Sequence, residues 1–383
     1  MFRQALDQLD GWELMSASYE DQEILELSEN ESRVLWALIK YPEETDQTIH
    51  SMIRMKKSTF SSIKTRLREQ GFFERVYVPN FPKIGFELFL IMFGQLNRFS
   101  TFEERMRVAG DSLKEFVEDF YVVSESNKAF NLSISENFTE YSKNQEKFYQ
   151  MYSEQKFLTR EGMKSEAFPF EISRIRAFLD YDAIIAKHFN FESSNYSNEL
   201  VIPFGKTKKQ KLSKAEKKVL VGLVEFPEES DTFIAEKVNV SRNTVANAKK
   251  KFHKQGIVFP RIIPNLDKLG FKILVFTYRK FNAKTTMEQR EEAAELVRKN
   301  LSPFFYVSKN LDGFLISAHK SFEEYNLAMD EVMRYYLKNE YITDEPITFT
   351  MSIPNLKYIK EFNFLPMVKK ILGFDPNTDL IDL

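Results

Sequence analysis

The sequence predicts an α+β protein built as a tandem duplication, each copy a winged helix-turn-helix followed by a ferredoxin-like βαββαβ domain. Two observations carry this. Shifting the 383-residue chain against itself by 185 positions aligns residues 27–91 with 212–276 without a gap, and 20 of the 65 pairs are identical, where roughly four would arise by chance. Within each copy, three short helical periodicities precede alternating strand and helix patterns.

The aligned block fixes its own landmarks. Ser28 and Glu31 match Ser213 and Glu216, an S-x-x-E capping box at a helix start in both copies. "PEETD" (42–46) matches "PEESD" (227–231), Gln70-Gly71 matches Gln255-Gly256, and Pro79-Asn80 matches Pro264-Asn265. Beyond the block the order persists, with "FYVVS" (120–124) answering "FYVS" (305–308) and "FTEY" (138–141) answering "FEEY" (322–325).

In the second copy a helix spans 213–225, with Val219, Leu220, Leu223 and Val224 at helical spacing. A second covers 231–238, and Ser241 caps a third that stops at Gly256, a residue suited to the left-handed helix end. Two β-prone stretches around "PNLDKLG" then read as a wing. A strand at 271–281, a helix at 285–301, strands at 304–309 and 313–319, a helix at 321–340 and a strand at 346–353 give the split-βαβ order. The first copy repeats it at 86–96, 101–118, 119–125, 129–136, 138–157 and 165–175. The expected division is an acidic N-terminal helix (1–26), winged helices at 27–82 and 212–267, and ferredoxin-like domains at 83–175 and 268–353. A helical tail with basic linker (176–211) and a C-terminal tail (354–383) complete it.

Composition narrows the function classes. The chain is 43% hydrophobic, with 37 Phe and 16 Tyr, and can build aromatic cores. It has no cysteine, which removes disulfides, thiolate nucleophiles and Cys-ligated zinc. No apolar run is long enough to span a membrane and the N-terminus lacks a signal-peptide pattern, so a cytoplasmic protein is expected. The net charge of −2 hides segregation. Residues 1–32 carry nine acidic groups against Arg3, while 204–218 carry seven Lys against Glu216 and 241–261 carry six basic groups and no acid. The lysine cluster at 206–218 reads as a linker with some DNA contact.

The stretch "LSKAEKKVLVGLVEFPEESDTFIAEKVNVSRNTVANAKKKFHKQGIVFPRIIPNLDKLGFKILVF" resembles the Lrp/AsnC-type (feast/famine) transcription regulators, and 27–95 does so more weakly. The resemblance implies a soluble DNA-binding regulator whose ferredoxin-like domains associate through their sheets, within the chain or between chains. Two copies in one chain depart from the family's usual single module. The family's Gly-x-x-Asp-like turn is not reproduced at 124–131 or 308–315, which argues against an amino-acid effector.

In the third helix of the second copy, Val245, Ala248 and Phe252 face inward. Ser241, Arg242, Asn243, Thr244, Asn247, Lys249, Lys250 and Lys251 are then the candidate DNA-contacting residues, joined by Arg261 in the wing. In the first copy Phe60, Ile63 and Leu67 face inward, and the candidates are Lys57, Ser58, Ser61, Ser62, Lys64, Thr65, Arg66 and the wing residue Arg75. Arg grips guanine and Asn grips adenine by two hydrogen bonds each, and small Ser or Ala lets a helix approach the groove floor. Lysines neutralise phosphates and release counterions. The two sets differ, so two unlike half-sites are expected.

Catalytic signals are sparse. His50, His188, His253 and His319 lie far apart in sequence, and no phosphate-binding glycine loop or nucleophile elbow occurs. No enzyme activity, cofactor or metal is expected. Two alternatives stand beside the regulator: a tandem winged-helix docking or replication-initiation module, and an enzyme similar to the siroheme decarboxylases, which share the tandem arrangement. The latter requires basic and histidine residues gathered in the α+β domains, and none is visible along the sequence.

Overall fold

A computed structural model describes residues 26–191, 202 and 205–378. All but the last residue of the expected acidic N-terminal helix lies outside the described residues. Half one opens with α1 (Glu29–Lys40), α2 (Asp46–Met52) and α3 (Lys57–Glu69), then β1 (Phe73–Pro79) and a single turn α4 (Phe81–Ile84). Its sheet domain comprises β2 (Leu88–Leu96), α5 (Phe102–Ser112), β3 (Asp119–Glu125), β4 (Lys128–Ser135), α6 (Phe138–Glu154) and β5 (Leu158–Pro169). A tail of β6 (Ser173–Phe178) and α7 (Asp182–His188) closes the half.

Half two repeats the order with α8 (Lys214–Glu225), α9 (Asp231–Lys237), α10 (Arg242–Gln255) and β7 (Val258–Pro264). Its sheet domain holds β8 (Ile273–Lys280), α11 (Met287–Leu301), β9 (Phe305–Lys309), β10 (Asp312–His319), α12 (Phe322–Lys338) and β11 (Ile347–Ser352). The tail is β12 (Lys357–Lys360) and α13 (Leu365–Leu372). Both capping boxes form: Ser28 and Ser213 each exchange hydrogen bonds with the glutamate three residues on.

Three sheets organise the described residues. The first runs β12-β3-β4-β2-β5 and the second β11-β8-β10-β9-β6, so each half donates its tail strand to the edge of the other half's sheet. This corrects the expected strand at 165–175 and the all-helical tail after it. The chain turns at Phe170–Ile172, leaves the first sheet, and continues as β6 paired antiparallel with β9. The third sheet is β1-β7 alone. The expected wing hairpins do not form within each half, because each half's first wing strand pairs with that of the other half.

Strand alternation sorts the sheet residues. Phe89, Phe93 and Phe130 of the first sheet meet Phe276, Phe305, Phe314 and Phe349 of the second, the tightest pair being Phe130–Phe276 with ring centroids 4.2 Å apart. Of the two associations that the aromatic strands suggested, the chain itself supplies one: its two sheets stack face to face, with their helices on the outer faces.

An approximate dyad relates the halves. In the β1–β7 pair, Val76 stands opposite Arg261, its own counterpart in the 185-residue repeat. The bonds around this axis come in matched pairs. Asn80 N–H donates to the Ile257 carbonyl and Asn265 N–H to the Phe72 carbonyl, both at 2.8 Å. Lys83 donates to the Gln255 carbonyl at the end of α10, and Lys268 to the Gln70 carbonyl at the end of α3. A lysine at a helix C-terminus opposes the negative end of the dipole. Each approaches over a left-handed glycine, Gly256 (φ 55°) or Gly71 (φ 67°). A side chain at Gly256 would crowd Lys83 Nζ, 3.1 Å from the position a Cβ would take.

Candidate nucleic-acid interface

The dyad presents α3 and α10 as a matched pair. In α10 the inward face is Val245, Ala248 and Phe252, all buried, and in α3 it is Phe60, Ile63 and Leu67. Arg242, Asn243, Asn247 and Lys250 are exposed and make no side-chain hydrogen bond or ion pair among the described residues. The same holds for Lys57, Ser58, Ser61, Ser62 and Thr65 on α3. Ser241 and Thr244 are occupied with each other: Thr244 N–H donates to Ser241 Oγ at 3.1 Å, and the two hydroxyls lie 2.9 Å apart.

Four candidate cations hold the fold together. Lys64 pairs with Asp46 and Lys249 with Asp231, each at 2.7 Å, at equivalent places in the two halves. Arg66 pairs with Glu31 at 2.6 Å and Lys251 with Glu216 at 2.7 Å. The capping-box glutamate therefore serves twice. One oxygen receives the helix start and the other ties α1 or α8 to the recognition helix. Burial alone would raise the pKa of Glu216, but hydrogen bonds from Lys251 and Ser213 outweigh it and hold the carboxyl below its ordinary value.

Arg75 and Arg261 stand in β1 and β7, and both have partners within the chain. Arg75 donates to the Pro42 carbonyl at 2.8 Å. Arg261 donates to the carbonyls of Phe178 and Pro260 and lies over the Phe259 ring. The strands carrying them pair across the dyad, which turns these side chains toward partners within the molecule.

Two polar contacts bridge the halves at the ends of the recognition helices, the Arg68–Glu228 ion pair at 3.3 Å and its counterpart, a His253 Nε2–Glu43 Oε2 hydrogen bond at 3.0 Å. The acidic partners are the glutamates of the repeated "PEETD" and "PEESD" turns. The basic segment before α8 also docks, with Gln210 N–H donating to the Lys83 carbonyl at 2.8 Å.

A second site was hidden by distance along the chain. The end of α7 and the end of β10 bring His188 and His319 to one pocket of about 100 Å³, with Lys187, Lys320 and Glu324. His319 Nε2 lies 2.8 Å from Ser317 Oγ, and Lys187 pairs with Glu324 at 3.3 Å. Burial and the neighbouring lysines pull both imidazoles down to about 4, so both are neutral at neutral pH. The gathering of histidine and basic groups that the sequence did not show is therefore present where the tail of half one meets the second sheet domain. No local motif could have revealed it. Its two histidines come from elements that meet only because the tail of half one crosses to the second domain.

No family model matches the chain, and no curated protein matches it. Among solved structures, it is similar along its length to the siroheme decarboxylase NirDL. With an iron-uroporphyrin III analogue bound, the TM-score is 0.51 at 9% identity, covering 89% of this chain and 98% of that one. Without the analogue the TM-score is 0.49 at 9% identity, covering 90% and 98%. Regulators match one module. A transcriptional regulator of Neisseria meningitidis in complex with L-Met is 18% identical over 37% of this chain and 90% of that one, with a TM-score of 0.31. AsnC of E. coli is 14% identical over 37% and 93%, with a TM-score of 0.29. At these identities the likeness speaks to the fold. It is enough to overturn one expectation: that the chain is no enzyme. The tandem fold is one that an enzyme uses end to end. No described helix is long and apolar enough to cross a membrane.

Proposed function

We propose that the chain is a sequence-specific double-stranded DNA-binding regulator that reads two unlike half-sites with α3 and α10. The observation that carries this is the dyad. It relates α3 and α10 through one axis and leaves Arg242, Asn243, Asn247 and Lys250, with Lys57, Ser58, Ser61, Ser62 and Thr65, without side-chain partners among the described residues, an arrangement that suits a reader of paired half-sites. Arg242, Asn243 and Asn247 would supply base contacts, and Lys57 and Lys250 phosphate contacts.

The experiment is a DNA titration at several salt concentrations, comparing wild type with Arg242→Ala, Lys250→Ala and the pair combined. Lys249 and Lys251 are left intact because they anchor α10. The expected result is strongly salt-dependent binding, with the salt slope reduced by about 1 for each phosphate contact removed. Wild-type protein that binds no DNA at low salt would hand the paired helices to a protein partner instead.

A second reading is favoured by the histidine pocket: an enzyme acting on a carboxylated tetrapyrrole, as the fold neighbour's name describes for that protein. Lys187 and Lys320 would attract a substrate carboxylate, and the neutral rings of His188 and His319 could relay to the carbon the proton that replaces the departing carbon dioxide. Incubation with an iron-uroporphyrin-type substrate, followed by absorption and carbon dioxide release, tests it. Release that is lost in both His188→Gln and His319→Gln supports the reading, and no spectral change on mixing ends it.

A further inference from the structure

We infer that the gap between the first sheet and α6 is a binding site for a small primary ammonium group. The two halves provide the internal comparison. Met92 pairs with Asn131 as Thr277 pairs with Leu315, and α6 and α12 are both 17-residue helices starting at Phe138 and Phe322. Asn131, Asn144 and Gln145 therefore stand where half two has Leu315, Ala328 and Met329.

In half two those three residues pack into a closed apolar layer with Val275 and Val332. In half one the polar replacements border a gap of about 50 Å³. Polar groups at core-facing positions are costly unless something satisfies them. Two are unsatisfied: Asn131 Oδ1 and Glu118 Oε2 are buried without a hydrogen-bond partner. Asn131 is 9% exposed and Glu118 4% exposed. Both atoms are acceptors, so the missing partner is a donor.

Asp119 borders the same gap. Burial pushes its carboxyl up to about 7, against the pull of Lys360 and of hydrogen bonds from Asn131 and Ser133. The protein's own cations do not close the account. Lys370 is engaged with the other oxygen of Glu118, and Lys360, itself pulled to about 8 by burial, reaches neither orphaned atom.

An ammonium head carries three donors and a charge, enough for Asn131, Glu118 and Asp119 together. The space holds roughly one or two water molecules, which suits an ethylammonium-sized group with its alkyl end toward Leu90 and Phe148. A free amino acid would bring its carboxylate against Glu118 and is disfavoured. This inference rests on neither functional reading above.

The test compares thermal melting and the carboxyl ¹³C titration of Asp119 in ethylammonium chloride and in sodium chloride at equal ionic strength. A rise in melting temperature and a downward shift of the Asp119 titration are expected with ethylammonium alone. The Asn131→Leu/Gln145→Met variant, which restores half two's residues, should melt higher in sodium chloride and lose the ethylammonium response. Identical behaviour of wild type in the two salts would leave ordered water as the occupant and overturn the inference. So would a response that survives in the double variant. If that variant does not fold, the wild-type comparison decides alone.

Discussion

The two recognition helices share a frame and differ in how well each is built to read. At the turn before α10, the left-handed position is Asn239 (φ 51°), a residue that tolerates that conformation. Its counterpart before α3 is Arg54, also at φ 51° and less suited to it. Ser241 caps α10 through its side chain, whereas Lys56 stands at the start of α3 and makes no side-chain cap. Such a cap is worth about 1 kcal/mol. The outward set follows the same division, with Arg and two Asn on α10 against three Ser and a Thr on α3. The hydrogen bonds around the axis are matched in the two halves, while the side chains facing away from it differ.

The largest expected effect breaks the association of the halves. Phe130 is fully buried from half one against Phe276 and Phe314 of half two. Phe130→Ala should cost about 3–5 kcal/mol of stability by chemical denaturation. If the halves were independently stable, unfolding would instead split into two transitions with one unmoved.

A middle-sized effect sharpens the contrast between the helices. Replacing Asn243 and Asn247 by Ala should weaken specific DNA binding by about 10- to 100-fold, since a two-bond base contact is worth about 1–3 kcal/mol. Replacing Ser58 and Ser62 by Ala should change affinity only about threefold or less. Equal losses in the two variants, measured at one salt concentration, would erase the distinction.

The smallest effect is a pH response of the pocket where the tail of half one meets the second sheet domain. His188 and His319 sit at about 4 in the native state against an ordinary value near 6.5. The native state binds fewer protons than the unfolded one between those limits. Their contribution is therefore complete above pH 6.5 and is lost as pH falls toward 4. Denaturation midpoints across this window should flatten in His188→Gln and His319→Gln, and unchanged curves would show that the pocket does not titrate as described.

Local chemistry was legible in the sequence wherever the controlling contacts were close along the chain. Capping boxes at Ser28 and Ser213, the helix stop at Gly256 and the inward faces of α3 and α10 were all readable from spacing. The wing arginines and the tail strand were not, because both depend on which partner a strand finds. Arg75 and Arg261 lie in strands whose alternation gives no sign of pairing across a dyad. The paired roles of Lys64, Arg66, Lys249 and Lys251 were visible only in part: the repeat placed a base and an acid at matching offsets, but the packing of α3 on α1 and α2, and of α10 on α8 and α9, was needed to join them. The histidine pocket required the strand exchange itself.

The residue pair on the axis has an evolutionary consequence. In a dimer of identical chains, whatever sits on the dyad meets its own copy, so an arginine there would face an arginine. Here Arg261 faces Val76 and reaches the Phe178 carbonyl instead. Fusion of the two halves lets a mutation be expressed once and tolerated on one side only. The most constrained positions of a symmetric assembly thereby become free to acquire separate chemistries within a single gene.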